Sequence, residues 1–339
     1  MPTTDLGARI PPREFMSFTE THISEYLRHL QLTAGASRKH ERSSLPSIKF
    51  AEKSGQLGTG QAEETSPAQK RKPETLMTLQ EIMPGVLEGL ETSYKFQNRV
   101  IEMMKTKGVE VVAWRVAGTN RMFLRQWGIK SPIVAPVFST MRYNDEEEIS
   151  INKHKIMHLE VNFAFRLGQD MPLHEIAPPT TEKSTALSED EKPMEVPVER
   201  ILSYVDAFYP VMDFTGSRYP ARAPHSSALV ADLIGSTAIS IGEAVPVEKW
   251  KDYSMTEYPC VLFLGDDPVA TGKGEVVIEN PLRSLPYVAK NFYVSRGEKV
   301  LEKGTVILTG PCTTAMAIKK GKYTAHFGPL GKVSAHVID

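Results

Sequence analysis

Between residues 260 and 339 the chain alternates short β-rich runs with turn signals, and that rhythm limits the fold more than anything upstream of it. VLFLG, EVVIE, TVILTG, YTAHFG and VSAHV are separated by GDD, TGKG, EKG, KKGK and GPLG. Apolar runs of this length between breakers read as strands of an antiparallel, sheet-rich body, with one helix near residues 284–295. Upstream, Val109–Val116 and Met157–Leu167 carry the same β-rich pattern. A helix is expected over 86–107, with Leu90, Tyr94, Ile101 and Met104 on one stripe and Gly108 as its stop. A second is expected over 198–209, with Ile201, Leu202, Val205 and Phe208 turned inward. Strands and helices in this arrangement make an α+β chain.

The 339 residues divide unevenly. Residues 1–32 form an arm with an amphipathic helix over 17–32, opened by the capping pair Ser17 and Glu20. Two readings of that helix stand: a piece that packs back on the main body, which the pattern favours, and a dimer-contact arm. Residues 33–77 are rich in Ser, Gly, Gln and charge, too poor in apolar area to offset ordering entropy, and read as a linker. The body runs from 78 to 339, with a polar surface excursion at 175–197. Forty basic residues against forty-one acidic ones leave a net charge of −1. That balance argues against nucleic-acid or anionic-membrane partners, both of which need a positive field. Two cysteines allow no disulfide framework or four-cysteine zinc site. With no signal-peptide pattern and no long apolar run, the expectation is a cytoplasmic protein.

Chemistry concentrates in a few places. On a strand, His158, Glu160 and Asn162 share a face, and an imidazole, a carboxylate and an amide can supply part of a hard cation's ligand set. Asp213, embedded in PVMDF, is the best remote carboxylate. The plainer reading, which spacing alone favours, is a wet sheet face and a capping aspartate. Arg115 ends an apolar strand just before Gly118–Thr119, where it would grip a substrate carboxylate or cover a sheet edge. Thr271–Gly274 lacks the Walker spacing and reads as a β-turn. Asp145–Glu148 reads as a solvated loop and Cys312 as a small buried hydrophobe. Ser226, Ser227 and Ser236 lack the context of a nucleophile elbow.

Several motifs then fall into one order. Val269–Leu282 (VATGKGEVVIENPL) resembles the ATGxG…NPL signature of the fumarylacetoacetate hydrolase superfamily, and most of all its 2-oxopent-4-enoate hydratase and 4-oxalocrotonate decarboxylase branch. Ser93–Gln97, Ala113–Thr119, Glu160–Leu167, Ala207–Arg218, Val306–Gly310 and Ala325–Gly331 resemble further family segments in sequence order, over about residues 78–338. The resemblance implies a mixed β-roll with surrounding helices, commonly a homo-oligomer, and Mg²⁺ or Mn²⁺ chelating a 2-oxo acid. Such an ion would polarise the 2-oxo group and stabilise an enolate. The family's metal set then falls on Glu160, Asn162 and Asp213, with Asn162 replacing a glutamate and Asp213 one methylene shorter than its counterpart. The family's strand lysine becomes Arg115, a serine becomes Pro311, and an asparagine becomes Leu233, while Asp232, Ser236 and Thr313 are kept as substrate-side positions.

Three functions follow as expectations. The first is a metal-assisted lyase of the hydratase or decarboxylase type on a 2-oxo acid or β-dicarbonyl compound, with His158 as acid/base, Glu160 in the catalytic set, and Arg115 orienting the carboxylate. The second is a metal-independent isomerase, cyclase or dehydratase using the same pocket. The third is a non-catalytic binding subunit that keeps the fold.

Overall fold

The computed structural model describes residues 89–176, 196–219 and 222–339. The expected arm 1–32, the linker 33–77 and residues 177–195 of the excursion lie outside the described residues. The larger sheet runs from edge to edge as Ile133–Phe138, Val111–Ala117, Val306–Pro311, Ile156–Leu167, Val205–Gly216, Ser236–Ile241 and Arg142–Asn144. Its pairings are mixed, parallel at Val111–Ala117 with Val306–Pro311 and antiparallel between the long central pair. A second sheet runs Asp267–Lys273, Pro259–Leu264, Gly321–His326, Lys332–Ile338 and Glu147–Ser150. With helices around them, these sheets make the mixed α+β fold that the motifs imply.

The central strand Ile156–Leu167 shows why it is central. Val161 to Phe165 are buried without a break, which requires cover on both faces. One cover is an aromatic cluster in which Phe163, Phe208 and Phe327 meet at ring-centroid distances of 5.4–5.9 Å, with Trp250 against Phe165 and Phe208. Phe327 comes from beside the second sheet, so this cluster joins the two. The Leu90–Thr106 helix buries Tyr94, Ile101 and Met104, packs against the short helix Ser226–Ala231, and meets the larger sheet where the Val134 N–H donates to the Tyr94 hydroxyl at 3.0 Å. It stops where Gly108 takes a left-handed φ of 73°. The second long helix is Ser284–Arg296, as expected.

Three local expectations are corrected. The helix over 198–209 ends at Leu202, and Val205–Gly216 is a strand. Pro210 disfavours helical backbone at Tyr209, and the run pairs along its length with Ile156–Leu167. The EVVIE segment is a tight turn rather than a strand, since Gly274–Val276 is 3₁₀ and Ile278 and Glu279 have φ of 49° and 64°. The presumed turn at Thr271–Gly274 is mostly strand, because Thr271, Gly272 and Lys273 pair with Val261, Cys260 and Pro259. Its glycines serve close approach. A Cβ at Gly272 would lie 1.9 Å from the Cys312 carbonyl oxygen, and one at Gly274 would lie 1.7 Å from that of Met255.

Candidate functional site

Glu160 and Asp213 stand directly opposite each other on the two central strands, so their side chains share a face. Asn162, two residues on from Glu160, shares it too. The sheet thus brings together the three positions expected to form a metal set. Between the carboxylates lies the guanidinium of Arg115, which reaches over from the Val111–Ala117 strand. Its Nε is 2.7 Å from Asp213 Oδ2 and its Nη2 is 3.4 Å from Glu160 Oε2. Its Nη1 donates to the carbonyl oxygen of Ile234 at 2.7 Å. The cluster is therefore an acid–cation–acid arrangement, and its members differ in access. The Arg115 and Asp213 side chains are 4% and 1% exposed, whereas that of Glu160 is 15% exposed.

Burial dominates the electrostatics. It pushes the Glu160 carboxyl up to about 7, with Arg115 pulling back and the Asp213 charge adding to the rise. Burial also raises Asp213, against the pull of Arg115. Asn162 is fully buried, and neither its Oδ1 nor its Nδ2 has a hydrogen-bond partner. Both are polar atoms in want of a ligand or water.

The Ile234 carbonyl is aimed at Arg115 by an unusual turn. Leu233, Ile234 and Gly235 take φ of 53°, 56° and 70° in succession. A β-branched residue in that region stores strain of about 1–3 kcal/mol, which persists only where neighbours enforce it. The neighbours are Asp232 and Arg218. Arg218 Nη1 lies 2.9 Å from Asp232 Oδ1, its Nη2 donates to the Ser236 carbonyl oxygen at 2.5 Å, and its backbone N–H donates to Asp232 Oδ2 at 3.0 Å. Asp232 and Ser236, expected on the substrate side, are both buried and flank this turn. Arg218 and the Ile234 carbonyl were missed by the sequence reading. Arg218 was legible only as the last letter of a motif, and a backbone carbonyl has no signature in sequence.

The other expected residues lie further along. His158 is exposed and sits opposite Thr215, in unbroken register with the Glu160–Asp213 pair. Thr313 is buried, and its Oγ1 accepts from the Val161 N–H at 3.1 Å, bracing the backbone between Glu160 and Asn162. Cys312 is buried as expected, and its Sγ lies 2.9 Å from that of Cys260. Burial holds the Cys312 thiol well above its ordinary range, so thiolate is scarce. Neither cysteine is expected to react with Ellman's reagent in the native protein, and both are expected to react once it is unfolded in denaturant. Fast reaction of either in the folded chain would contradict this.

The implied Mg²⁺ or Mn²⁺ can be tested against these residues. Among the described residues, no group of three or more His, Cys, Asp and Glu side chains could hold a metal ion. The two carboxylates that could contribute are engaged by a guanidinium. As they stand, the side chains do not fit a resident divalent ion, and the expectation of one rests on the resemblance alone. Arg115, expected to grip a substrate carboxylate, is turned instead to Asp213, Glu160 and Ile234.

No protein-family model matches the chain. It is 28% identical over 260 residues to REH2-associated factor 2 of Trypanosoma brucei brucei, covering 77% of this chain and 88% of that protein. It is 26% identical over 262 residues to 2-keto-4-pentenoate hydratase of Burkholderia vietnamiensis, covering 77% and 90%. Among solved structures, 4-oxalocrotonate decarboxylase from Pseudomonas putida G7, complexed with magnesium and adipate, superposes with a TM-score of 0.63 at 21% identity, covering 74% and 86%. That likeness fixes the fold. No helix among the described residues is long and apolar enough to cross a membrane.

Proposed function

The chain is a divergent member of the fumarylacetoacetate hydrolase superfamily, in its hydratase and decarboxylase branch, and from that footing we propose that it is a lyase acting on a small 2-oxo acid or β-dicarbonyl compound through an enol or enolate. The observation that carries this reading is the position of Glu160. It is the most exposed member of a buried acid–cation–acid cluster, placed to meet a ligand, with Arg115 between it and the more deeply buried Asp213.

Enolate chemistry needs two things from a protein: a group that exchanges a proton at carbon near neutral pH, and positive charge near the developing oxyanion. Glu160, with its carboxyl pushed up to about 7, meets the first need. Arg115 meets the second as an electrostatic neighbour, since a guanidinium stays protonated and takes no part in proton transfer. Asp213, with Oδ2 2.7 Å from Nε, supplies the buried countercharge to the guanidinium. Asn162 offers a donor and an acceptor to the same ligand. The reading includes a small-molecule ligand, no nucleic-acid or membrane partner, a homo-oligomer and a cytoplasmic setting. The near-zero net charge supports the absence of polyanionic partners.

The test incubates the full chain with 2-keto-4-pentenoate, with 4-oxalocrotonate, and with 2-oxobutyrate in D₂O. Ultraviolet absorbance follows the first two, and NMR follows exchange at C3 of the third. Turnover or exchange is expected, falling about 10²- to 10⁴-fold in Glu160→Gln, the range for loss of a general acid/base. If the native protein neither turns over the first two nor exchanges the third, the lyase reading fails. A second reading, a binding subunit that keeps the fold, is favoured by the similarity to a protein named as an associated factor rather than as an enzyme. On that reading all three probes stay inert while the chain still forms a stable complex with another protein.

A further inference from the structure

We infer that the Arg115 guanidinium stands in the place of a divalent cation, so that this site carries its own fixed positive charge and takes up neither Mg²⁺ nor Mn²⁺. The inference deepens the lyase reading and rests on it for its catalytic meaning, but not for its test.

Three observations carry it. First, the guanidinium lies between the two carboxylates that a metal would need, at 2.7 Å from Asp213 and 3.4 Å from Glu160. An ion bound to those oxygens at its usual distance of about 2.0–2.6 Å would be driven against the guanidinium nitrogens, charge on like charge. Second, Arg115 is anchored on its far side by the Ile234 carbonyl, which a strained and buried turn presents to it. Swinging the arginine away would leave that carbonyl and Asp213 without it in a buried setting. Third, the remaining member of the face is an amide. Asn162 lacks the charge a divalent ion calls for, and its two buried, unpartnered polar atoms suit a neutral carbonyl or hydroxyl group.

A guanidinium suits this role because it is planar, permanently charged and more weakly hydrated than an ammonium group, so it costs less to bury between two acids. The consequence is chemical. A metal selects ligands that chelate, with a carboxylate beside the 2-oxo group, whereas a fixed guanidinium held by its own acids acts on a carbonyl oxygen through its charge and asks for no chelation. The ligand class therefore extends to β-dicarbonyl compounds that have no carboxylate next to the reacting carbonyl.

The experiment is Mn²⁺ binding, followed by titration calorimetry and by the loss of the free-ion electron paramagnetic resonance signal. It uses the full chain, Arg115→Gln and Arg115→Ala, after treatment with chelator. The native protein is expected to show no saturable uptake at millimolar ion, and its thermal midpoint should not move with Mn²⁺. The variants are expected to gain one Mn²⁺ per chain and a midpoint that Mn²⁺ raises. Stoichiometric uptake by the native chain, abolished by Glu160→Gln, would overturn the inference. So would a folded Arg115→Gln that takes up no ion. Should both arginine variants fail to fold, the native measurement alone decides. Since no turnover is read, failure of the lyase reading leaves this result intact.

Discussion

Arg218→Ala should lower the free energy of unfolding by about 3–5 kcal/mol, the cost of stripping one partner from a buried ion pair. The Arg218 and Asp232 side chains are 3% and 1% exposed and meet at 2.9 Å. Removing the guanidinium leaves a carboxylate that burial already raises, with fewer groups to stabilise its charge. It also removes the donors to the Asp232 and Ser236 carbonyl oxygens, and so releases both ends of the strained turn at Leu233–Gly235. Urea unfolding of the native chain and of Arg218→Ala, followed by circular dichroism, measures the loss. The double variant Arg218→Met, Asp232→Leu should recover part of it, because no lone charge is then left inside. A loss under 1 kcal/mol in Arg218→Ala would mean that water reaches Asp232. The effect should extend to Arg115, whose Nη1 depends on the same turn for its acceptor.

Acid should weaken the fold through His154. This residue closes the short helix Ile151–His154, is 1% exposed, and lies 2.5 Å from the Tyr143 hydroxyl at Nε2. Lys153 Nζ donates to that same hydroxyl, so the tyrosine proton points at the imidazole, which accepts it in its neutral form. Burial first, then the charges of Lys153 and Arg218, pulls His154 down from the ordinary 6.5 to about 4. The folded protein thus binds this proton less readily than the unfolded chain does. The contribution of His154 to stability is complete above pH 6.5 and disappears as pH falls through about 4. The shift corresponds to about 3 kcal/mol. Urea midpoints between pH 7 and pH 4 should fall steeply in the native protein and less steeply in His154→Gln, which keeps an acceptor for Tyr143 but has no charge to gain. Parallel slopes in the two proteins would show that other groups govern acid unfolding.

Much of the framework was legible in the chain itself. The β-rich rhythm after residue 260, EVVIE apart, the apolar run at Met157–Leu167 and the stripe of the Leu90–Thr106 helix are local patterns that the packing kept. The alternation of side chains along a strand was enough to place Glu160 and Asn162 on one face. The order of motifs was enough to name the superfamily. Where the sequence misled, a longer-range partner had intervened. Val205–Tyr209 has a helical stripe, but Pro210 and a full-length antiparallel neighbour make it strand. Thr271–Gly274 has turn composition, yet its glycines are there because another backbone passes within reach of where a Cβ would be.

The site divides along the same line. Residue identity determined that two carboxylates, one amide and one arginine would be available, and that ligand charge was lower than in the family pattern. Only the tertiary structure decided that Arg115, two strands from Glu160 and three from Asp213 in the sheet, would reach both acids, and that the Leu233–Gly235 turn would hold it there. Charge is a property of a residue, whereas the partner that neutralises it depends on distances of a few ångströms between segments far apart in the chain. Sequence spacing carries no information about those distances.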